Sequence, residues 1–531
     1  MRRLPKARVG RSRCSTRRTG EPDHMGKGGS VSVSERSAMS EGAPVNVGAA
    51  AWPDIVSARG AVRRMQIKLH HWAGVDCSRR FGDLFNLVHD PAFLRVAWDR
   101  VAHNTGARSA GVDGVTVAQI ERNVGVQAFL EHIRQALRSG GFEPELVRQV
   151  TIPKGPGKFR TLGVSTVADR VVQASLKLVL EPIFETDFSP CSYGFRPNRR
   201  AHDAIAEVHM FATHGYHWVL EADIQACFDQ IGHTPIMDRL RRRIKDKRVR
   251  ALVKAFLKTG VMTTLGDEEE SPTGTPQGGI LSPLIANVAL SALDDHFDQQ
   301  WHRDMGTTWK REWRRKKGLG TWKLTRFADD FVIVVHGERR HAEALREQVA
   351  GVVASLGLRL SPEKTRVVHV DDGFDFLGFH IRRQRKPGTQ KYYVYTTPSK
   401  KAIKAVKAKV SEMTYRSTRH RSVSDMIADM NTVLRGWAMY FRYGVSKAVF
   451  GAVDRHAWWR TVGWLRRKHK RKTQRIGMNE IRRRFCDHGW RLAHDGVVFT
   501  GASSVAVTRY HYRGARIPTP WATKPAAASR G

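Results

Sequence analysis

From about Trp52 onward the apolar positions fall into two kinds of spacing, and these separate helices from strands. Between Arg63 and Asn104 they return at helical intervals: Phe85, Leu87 and Val88 are followed by Phe93, Leu94, Val96 and Ala97. A Gly-rich turn, Gly111-Val112-Asp113-Gly114, comes next. Val147–Pro153 reads as a strand, Gly155-Pro156-Gly157 as a turn, and Arg160–Val164 as the returning strand of a hairpin with a basic tip. Helix is expected up to about Phe184, and Ser189-Pro190 breaks it. His217–Asp223 is a strand, mostly apolar until it ends in acid. Ser271–Gly279, dense in Pro, Thr and Gly, is a loop opening onto a helix from Pro283 to Phe297. Leu324–Val335 runs apolar, acidic, apolar and suits a tight hairpin, and Thr365–Val370 and Phe374–Ile381 add two strand-like runs. After Ser399 the pattern turns helical. Mixed helix and strand followed by a helical region predicts an α+β architecture.

Composition narrows the partner. Across 531 residues, 90 Lys and Arg stand against 50 Asp and Glu, a formal net charge of +40. Such a surplus must face solvent or a polyanion, which favours a partner with many phosphates over a small neutral substrate. No stretch approaches the ~18 apolar residues of a membrane span. Five scattered cysteines, none in a CxxC pair, give neither a disulfide framework nor a cysteine-rich zinc site and fit a reducing compartment. The basic surplus is concentrated late: 13 Lys/Arg against Glu412 alone from His380 to Arg421, and ten against Glu480 alone from Leu465 to Phe485. Lys400, Lys401, Lys404 and Lys407 recur near helical spacing and are expected to form one nucleic-acid-binding face, with Arg466, Arg467 and Lys468 in the second run. Trp437, Tyr440 and Phe441, also at helical spacing, read as core.

The chain has three Asp-Asp pairs. Asp294-Asp295 ends a helical pattern, where solvation is the expected fate, and Asp371-Asp372 precedes Gly373 in a turn. Asp329-Asp330 differs, because Phe327-Ala328 precedes it and Phe331–Val335 follows, placing the acids at the tip of a buried hairpin. Two carboxylates held together at a core strand are costly without a cation. Asp223 closes another apolar strand, and Mg²⁺ is usually held by one or two carboxylates together with substrate phosphates. Asp223, Asp329 and Asp330 are therefore candidate metal ligands, with Asp229 a weaker one.

These residues resemble the blocks of reverse transcriptases, in order along the chain. Phe327-Ala328-Asp329-Asp330 resembles the F/YADD box, and Asp223-Ile224 with Phe228 resembles the first catalytic block. Ile152-Pro153-Lys154 through Arg160-Thr161-Leu162-Gly163 resembles the fingers hairpin, and Ser192-Tyr193-Gly194-Phe195-Arg196-Pro197 the block after it. Gly274-Thr275-Pro276-Gln277-Gly278-Gly279 resembles the PQG loop, Glu363-Lys364-Thr365 the lysine block, and Phe376-Leu377-Gly378-Phe379 the primer grip. Asn104–Ala107 with Ala110–Gly114, and Leu434-Arg435-Gly436-Trp437-Ala438 with Tyr440-Phe441, are similar to the extra N-terminal block and the maturase domain of group II intron-encoded enzymes.

Residues 1–51, without Phe, Trp or Tyr and rich in Gly, Ser and Arg, read as a disordered basic tail. The resemblance implies a right-hand polymerase fold: fingers and palm over 52–390, a helical maturase or thumb domain over 391–475, and a small nucleic-acid-binding segment over 476–531. It implies RNA-directed DNA synthesis with two Mg²⁺ ions on Asp223, Asp329, Asp330 and the Ile224 carbonyl. Lys154, Arg160, Phe228, Gln277 and Lys364 would line the nucleotide pocket, Phe228 by excluding a 2′-OH and Lys364 as proton donor to pyrophosphate. Phe376, Leu377 and Gly378 would grip the primer. Implied partners are a group II intron RNA, an RNA template with DNA primer or target, and dNTPs, in the bacterial cytoplasm near the nucleoid. Only Cys486 lies beyond Cys227, so the cysteine-paired nuclease that ends many relatives is not expected. The rival readings are a splicing-only maturase with a silent polymerase and another reverse transcriptase class, such as a retron or diversity-generating enzyme.

Overall fold

In the computed structural model the described residues are 52–155, 157–263, 266–469, 476–514 and 517–522; the expected N-terminal tail and the side chain of Lys154 lie outside them. Three helices, Ile55–Val75, Pro91–Ala102 and Val167–Phe184, pack together at the N-terminal end. Each starts at a residue that satisfies free backbone N–H groups: Asp54 accepts from Val56 and Ser57, Asp90 from Ala92 and Phe93, and Thr166 from Asp169. Beside them Val147–Gly155 and Lys158–Val164 form the expected basic-tipped hairpin.

The central sheet has four antiparallel strands in the order Thr321–Phe327, Asp330–His336, Trp218–Asp223, Arg366–His369. Its middle strands are apolar on both faces because both faces are covered. Leu220, Phe331, Ile333 and Val335 join the core shared with the N-terminal helices, while Val219, Val332 and Val334 join the core under the C-terminal helices. One sheet thus welds two halves of the molecule, and its strand ends are rigid mounts for side chains.

The run Phe374–Ile381 is not one strand. It is a hairpin, Phe374–Phe376 against Phe379–Arg385, that turns at Leu377-Gly378 and continues into Tyr392–Pro398. The helical region consists of Lys400–Met413, Val423–Phe441, Lys447–Lys468 and Met478–Phe485, but it closes on a small strand pair, Ala493–His494 with Val497–Val498. Beyond Val505 the chain runs back to the helix Ala201–Thr213 and to the first helix. Arg513 and the Tyr510 hydroxyl donate to buried Asp203, the Tyr512 hydroxyl donates to Glu207, and Trp521 is buried with its indole N–H on Gln66. Among the described residues no helix is long and apolar enough to cross a membrane.

Candidate active site

Asp223, the last residue of its strand, sits opposite Asp330 in the sheet register. Phe327 in turn pairs with Asp330, so Ala328 and Asp329 are the two central residues of a tight turn. Ala328 is at φ 57°, a left-handed conformation that costs a residue with a Cβ roughly 1–2 kcal/mol. Two neighbours hold it there. Gly194 lies so close that a Cβ on it would come within 2.2 Å of the Ala328 nitrogen. Arg326, with no exposed side-chain surface, donates from Nη1 to the Ala328 carbonyl at 2.8 Å.

That arginine explains Asp294, which is not solvated as its pattern suggested. The helix runs past it to Gln300, and Asp294 is fully buried, accepting from Arg326 Nε at 2.7 Å and Nη2 at 2.5 Å. Asn287 Oδ1 and the Ser192 hydroxyl accept the remaining Arg326 bonds, and Asn287 Nδ2 donates to the Gly194 carbonyl. Burial opposes the Arg326 charge, yet the Asp294 carboxylate outweighs it and raises the guanidinium pKa above the arginine norm.

The acids strain against one another. Burial, with Asp223 beside it, raises the Asp329 pKa, and burial with Asp329 and Asp223 pushes Asp330 up to about 6. Lys364 Nζ lies 2.7 Å from Asp223 Oδ2, a bond that raises the lysine pKa, and Arg160 also offsets part of the charge at Asp329. Among the described residues no three His, Cys, Asp or Glu side chains close into a cage. Hard oxygen donors that repel one another, on an open site, suit Mg²⁺, which keeps waters and substrate phosphates in its shell. Because the folded-state pKa of Asp330 lies above its ordinary value, its ionisation weakens the metal-free fold: stability falls as pH rises from about 4 through about 6. Asp330→Asn is therefore expected to raise the melting temperature in EDTA at pH 7.5, with the gain shrinking as the buffer is taken towards pH 4. Differential scanning fluorimetry measures this, and a lower melting temperature at every pH would show the carboxylate to be a structural support instead.

Among the residues expected to line the nucleotide pocket, one glutamine ties three elements together. Arg160 Nε donates to Gln277 Oε1 at 3.1 Å, Gln277 Nε2 donates to Asp229 at 2.8 and 2.9 Å, and the Gly163 N–H donates to the Gln277 carbonyl at 2.7 Å. The loop can lie this close because its glycines lack Cβ: at Gly274 (φ 84°) one would meet the Asp229 carbonyl at 2.5 Å, and at Gly278 (φ 114°) the Gly163 carbonyl at 2.7 Å. Phe228 is half-buried, edge-on to exposed Phe195. Asp229 is thus an anchor for Gln277. Phe195, Asn287, Asp294 and Arg326 escaped the sequence reading as site residues; for Arg326 the only signal was its place beside the Phe327–Asp330 box.

Phe376 is buried, and Leu377 (φ 48°) with Gly378 (φ 80°) makes the turn after it. The Tyr440 hydroxyl donates to the Leu377 carbonyl and the Ser399 N–H to that of Gly378, fastening this turn to the helical region. Lys400, Lys401 and Lys404 are exposed and Lys407 half-buried on the helix that starts there, and Lys401 is near enough to pull the Asp330 pKa down. Arg467 is exposed, whereas Arg466 donates to the Ile476 carbonyl and Lys468 to those of Arg419 and Arg421.

Comparison with known proteins matches residues 152–381 to the family described as reverse transcriptase (RNA-dependent DNA polymerase), and residues 403–485 to the group II intron, maturase-specific domain. Protein YkfC of Escherichia coli (strain K12) is 36% identical over 362 residues, 64% of this chain and 93% of that protein. Group II intron-encoded protein LtrA of Lactococcus lactis subsp. cremoris is 30% identical over 361 residues, and the match spans 59% of this chain and 58% of LtrA. A putative COX1/OXI3 intron 2 protein of Saccharomyces cerevisiae is 25% identical over 336 residues, 56% of this chain and 39% of that one. A polymerase palm and a maturase domain in one chain, in this order and with these relatives, settle the kinship: the chain belongs to the family of group II intron-encoded reverse transcriptases and maturases.

Proposed function

We propose that the chain is an RNA-directed DNA polymerase that also binds its parent intron RNA to promote splicing and mobility. The observation that carries the polymerase reading is the convergence of Asp223, Asp329 and Asp330, two of them facing across the sheet and one on the turn between strands. These carboxylates, with the Ile224 carbonyl, would hold Mg²⁺, which when bound lowers the pKa of an attacking hydroxyl and neutralises developing phosphate charge. The chain's own part is positioning, which dominates phosphoryl transfer. Arg160, braced by Gln277, and Lys154 on the same hairpin hold the triphosphate. Lys364, kept protonated by Asp223, carries a proton at Nζ for the departing pyrophosphate. The turn at Leu377-Gly378, fixed to the helical region through Tyr440, seats the primer end. The basic face from Lys400 onwards tracks the phosphates of template, primer and intron.

The test is extension of a DNA primer annealed to an RNA template by the full chain with dNTPs. Extension that needs Mg²⁺ and stops in EDTA supports the polymerase; well-folded, RNA-binding protein that never extends leaves the splicing-only maturase. In the same assay Phe228→Ala is expected to raise ribonucleotide use relative to dNTPs by about tenfold or more in kcat/KM, since a ring that merely clashes with a 2′-OH enforces selection by steric exclusion. An unchanged ratio would reduce Phe228 to packing against Phe195.

A further inference from the structure

The helix Thr308–Lys316 is built inside out. Its three arginines turn to the palm: Arg311 lies over the Trp301 ring at 5.5 Å, Arg314 over Trp322 at 5.2 Å and Arg315 over Tyr216 at 5.5 Å. Arg311 and Arg314 also donate to the Met305 and Gly320 carbonyls. Trp309 and Trp313 point the other way, 69% and 46% exposed. Four residues apart on a helix, they share one face. Large aromatic side chains ordinarily supply core and interface area, so leaving two in solvent while arginines occupy the inner face is a reversal that folding alone does not reward.

The charge around this face has a sign. Residues 308–317 hold six Lys and Arg against Glu312 alone, and neighbouring Asp304 is taken by Arg303 at 2.8 Å. An arginine over an aromatic ring keeps its full net charge, unlike one paired with a carboxylate. Exposed Lys316 and Lys317 continue the field past the helix end. The strand Thr321–Phe327 then leads away to the Ala328-Asp329 turn, its seven residues at about 3.3 Å each spanning roughly 20 Å from the end of the strand nearer this helix in the chain to the end that carries the turn.

We propose that Trp309 and Trp313 form a stacking site for unpaired RNA bases, separate from the polymerase groove. Aromatic faces take any base, and the surrounding cations take the phosphates. Unpaired bases are the fitting partner because a base inside a duplex has both faces already stacked. The inference rests on the reading that the chain binds RNA.

It is tested by fluorescence anisotropy on the full chain with a labelled 20-nucleotide oligo(A) RNA and, separately, a 20-base-pair RNA duplex. Both are measured with unlabelled primer–template in excess to fill the polymerase groove. Trp309→Ala/Trp313→Ala is expected to weaken oligo(A) binding about tenfold, leave duplex binding and primer extension unchanged, and recover most affinity as Trp309→Phe/Trp313→Phe. Unchanged oligo(A) binding by the alanine variant, with extension intact, overturns the stacking site and leaves the polymerase reading standing. A wild-type chain that binds neither RNA and extends no primer overturns that reading as well. A fall in sedimentation mass on alanine substitution, without loss of oligo(A) affinity, would assign the face to a second copy of the chain and overturn the RNA proposal.

Discussion

Asp223→Asn is expected to lower Mg²⁺-dependent primer extension by about 10³-fold or more while leaving the protein folded. A cation held there would supply several kcal/mol of charge stabilisation in the transition state, and each 1.36 kcal/mol is tenfold in rate. Asp223 is the one carboxylate on its strand end, and it stands in register with Asp330, so no neighbouring acid can replace it without moving the sheet. Folding should survive because Asp223 raises the pKa of both Asp329 and Asp330; removing its charge relieves crowding instead of creating it. Lys364 loses its partner at Asp223 but is largely solvent-exposed, so freeing it is inexpensive. Steady-state extension beside thermal melting decides the matter. Activity within tenfold of wild type would remove Asp223 from the metal site, and a collapsed melting temperature would make its role structural.

What could be read from the sequence was local. The palm strands and the acid-tipped hairpin are contiguous runs in which apolar flanks and carboxylates carry the signal within a dozen residues. The hairpin at Phe374–Ile381 was hidden because its alternation, Phe374 and Phe376 then Phe379 and Ile381, leaves only Leu377-Gly378 to betray a turn, and leucine at positive φ is not a turn signal. The burial of Asp294 is not legible in the sequence because its partner Arg326 lies 32 residues away, and only the folded core shows that both are sealed from water. The same limit applies to the C-terminal run, whose Tyr510 and Arg513 meet Asp203 across more than 300 residues. Trp309 and Trp313 defeat the pattern outright, since an apolar stripe predicts the buried side of a helix and here marks the exposed one.

The second large effect concerns Arg326 and Asp294. Removing one member of a buried pair leaves an uncompensated charge, at a cost of about 3–5 kcal/mol, so Asp294→Asn and Arg326→Met should each lower the melting temperature sharply. Stability alone cannot show what the pair is for, because any buried ion pair would behave so. The double variant Arg326→Met/Asp294→Leu separates the roles. Apolar replacements of similar volume commonly restore or exceed the original stability. They cannot restore the Arg326 bond to the Ala328 carbonyl, one of the two contacts on the turn residue in its left-handed conformation. If the network positions the carboxylates, the double variant melts near wild type yet extends primers at least about tenfold more slowly and needs more Mg²⁺ for half-maximal rate, since a misplacement of about 1 Å can cost 10²-fold. A double variant that recovers both melting temperature and Mg²⁺ dependence would show that Gly194 and the sheet hold the turn unaided. The strained turn, the buried charge beneath it and the acids above it form one mechanical unit. Arg326 donates to the carbonyl of the strained Ala328, and the sheet register sets Asp330 opposite Asp223.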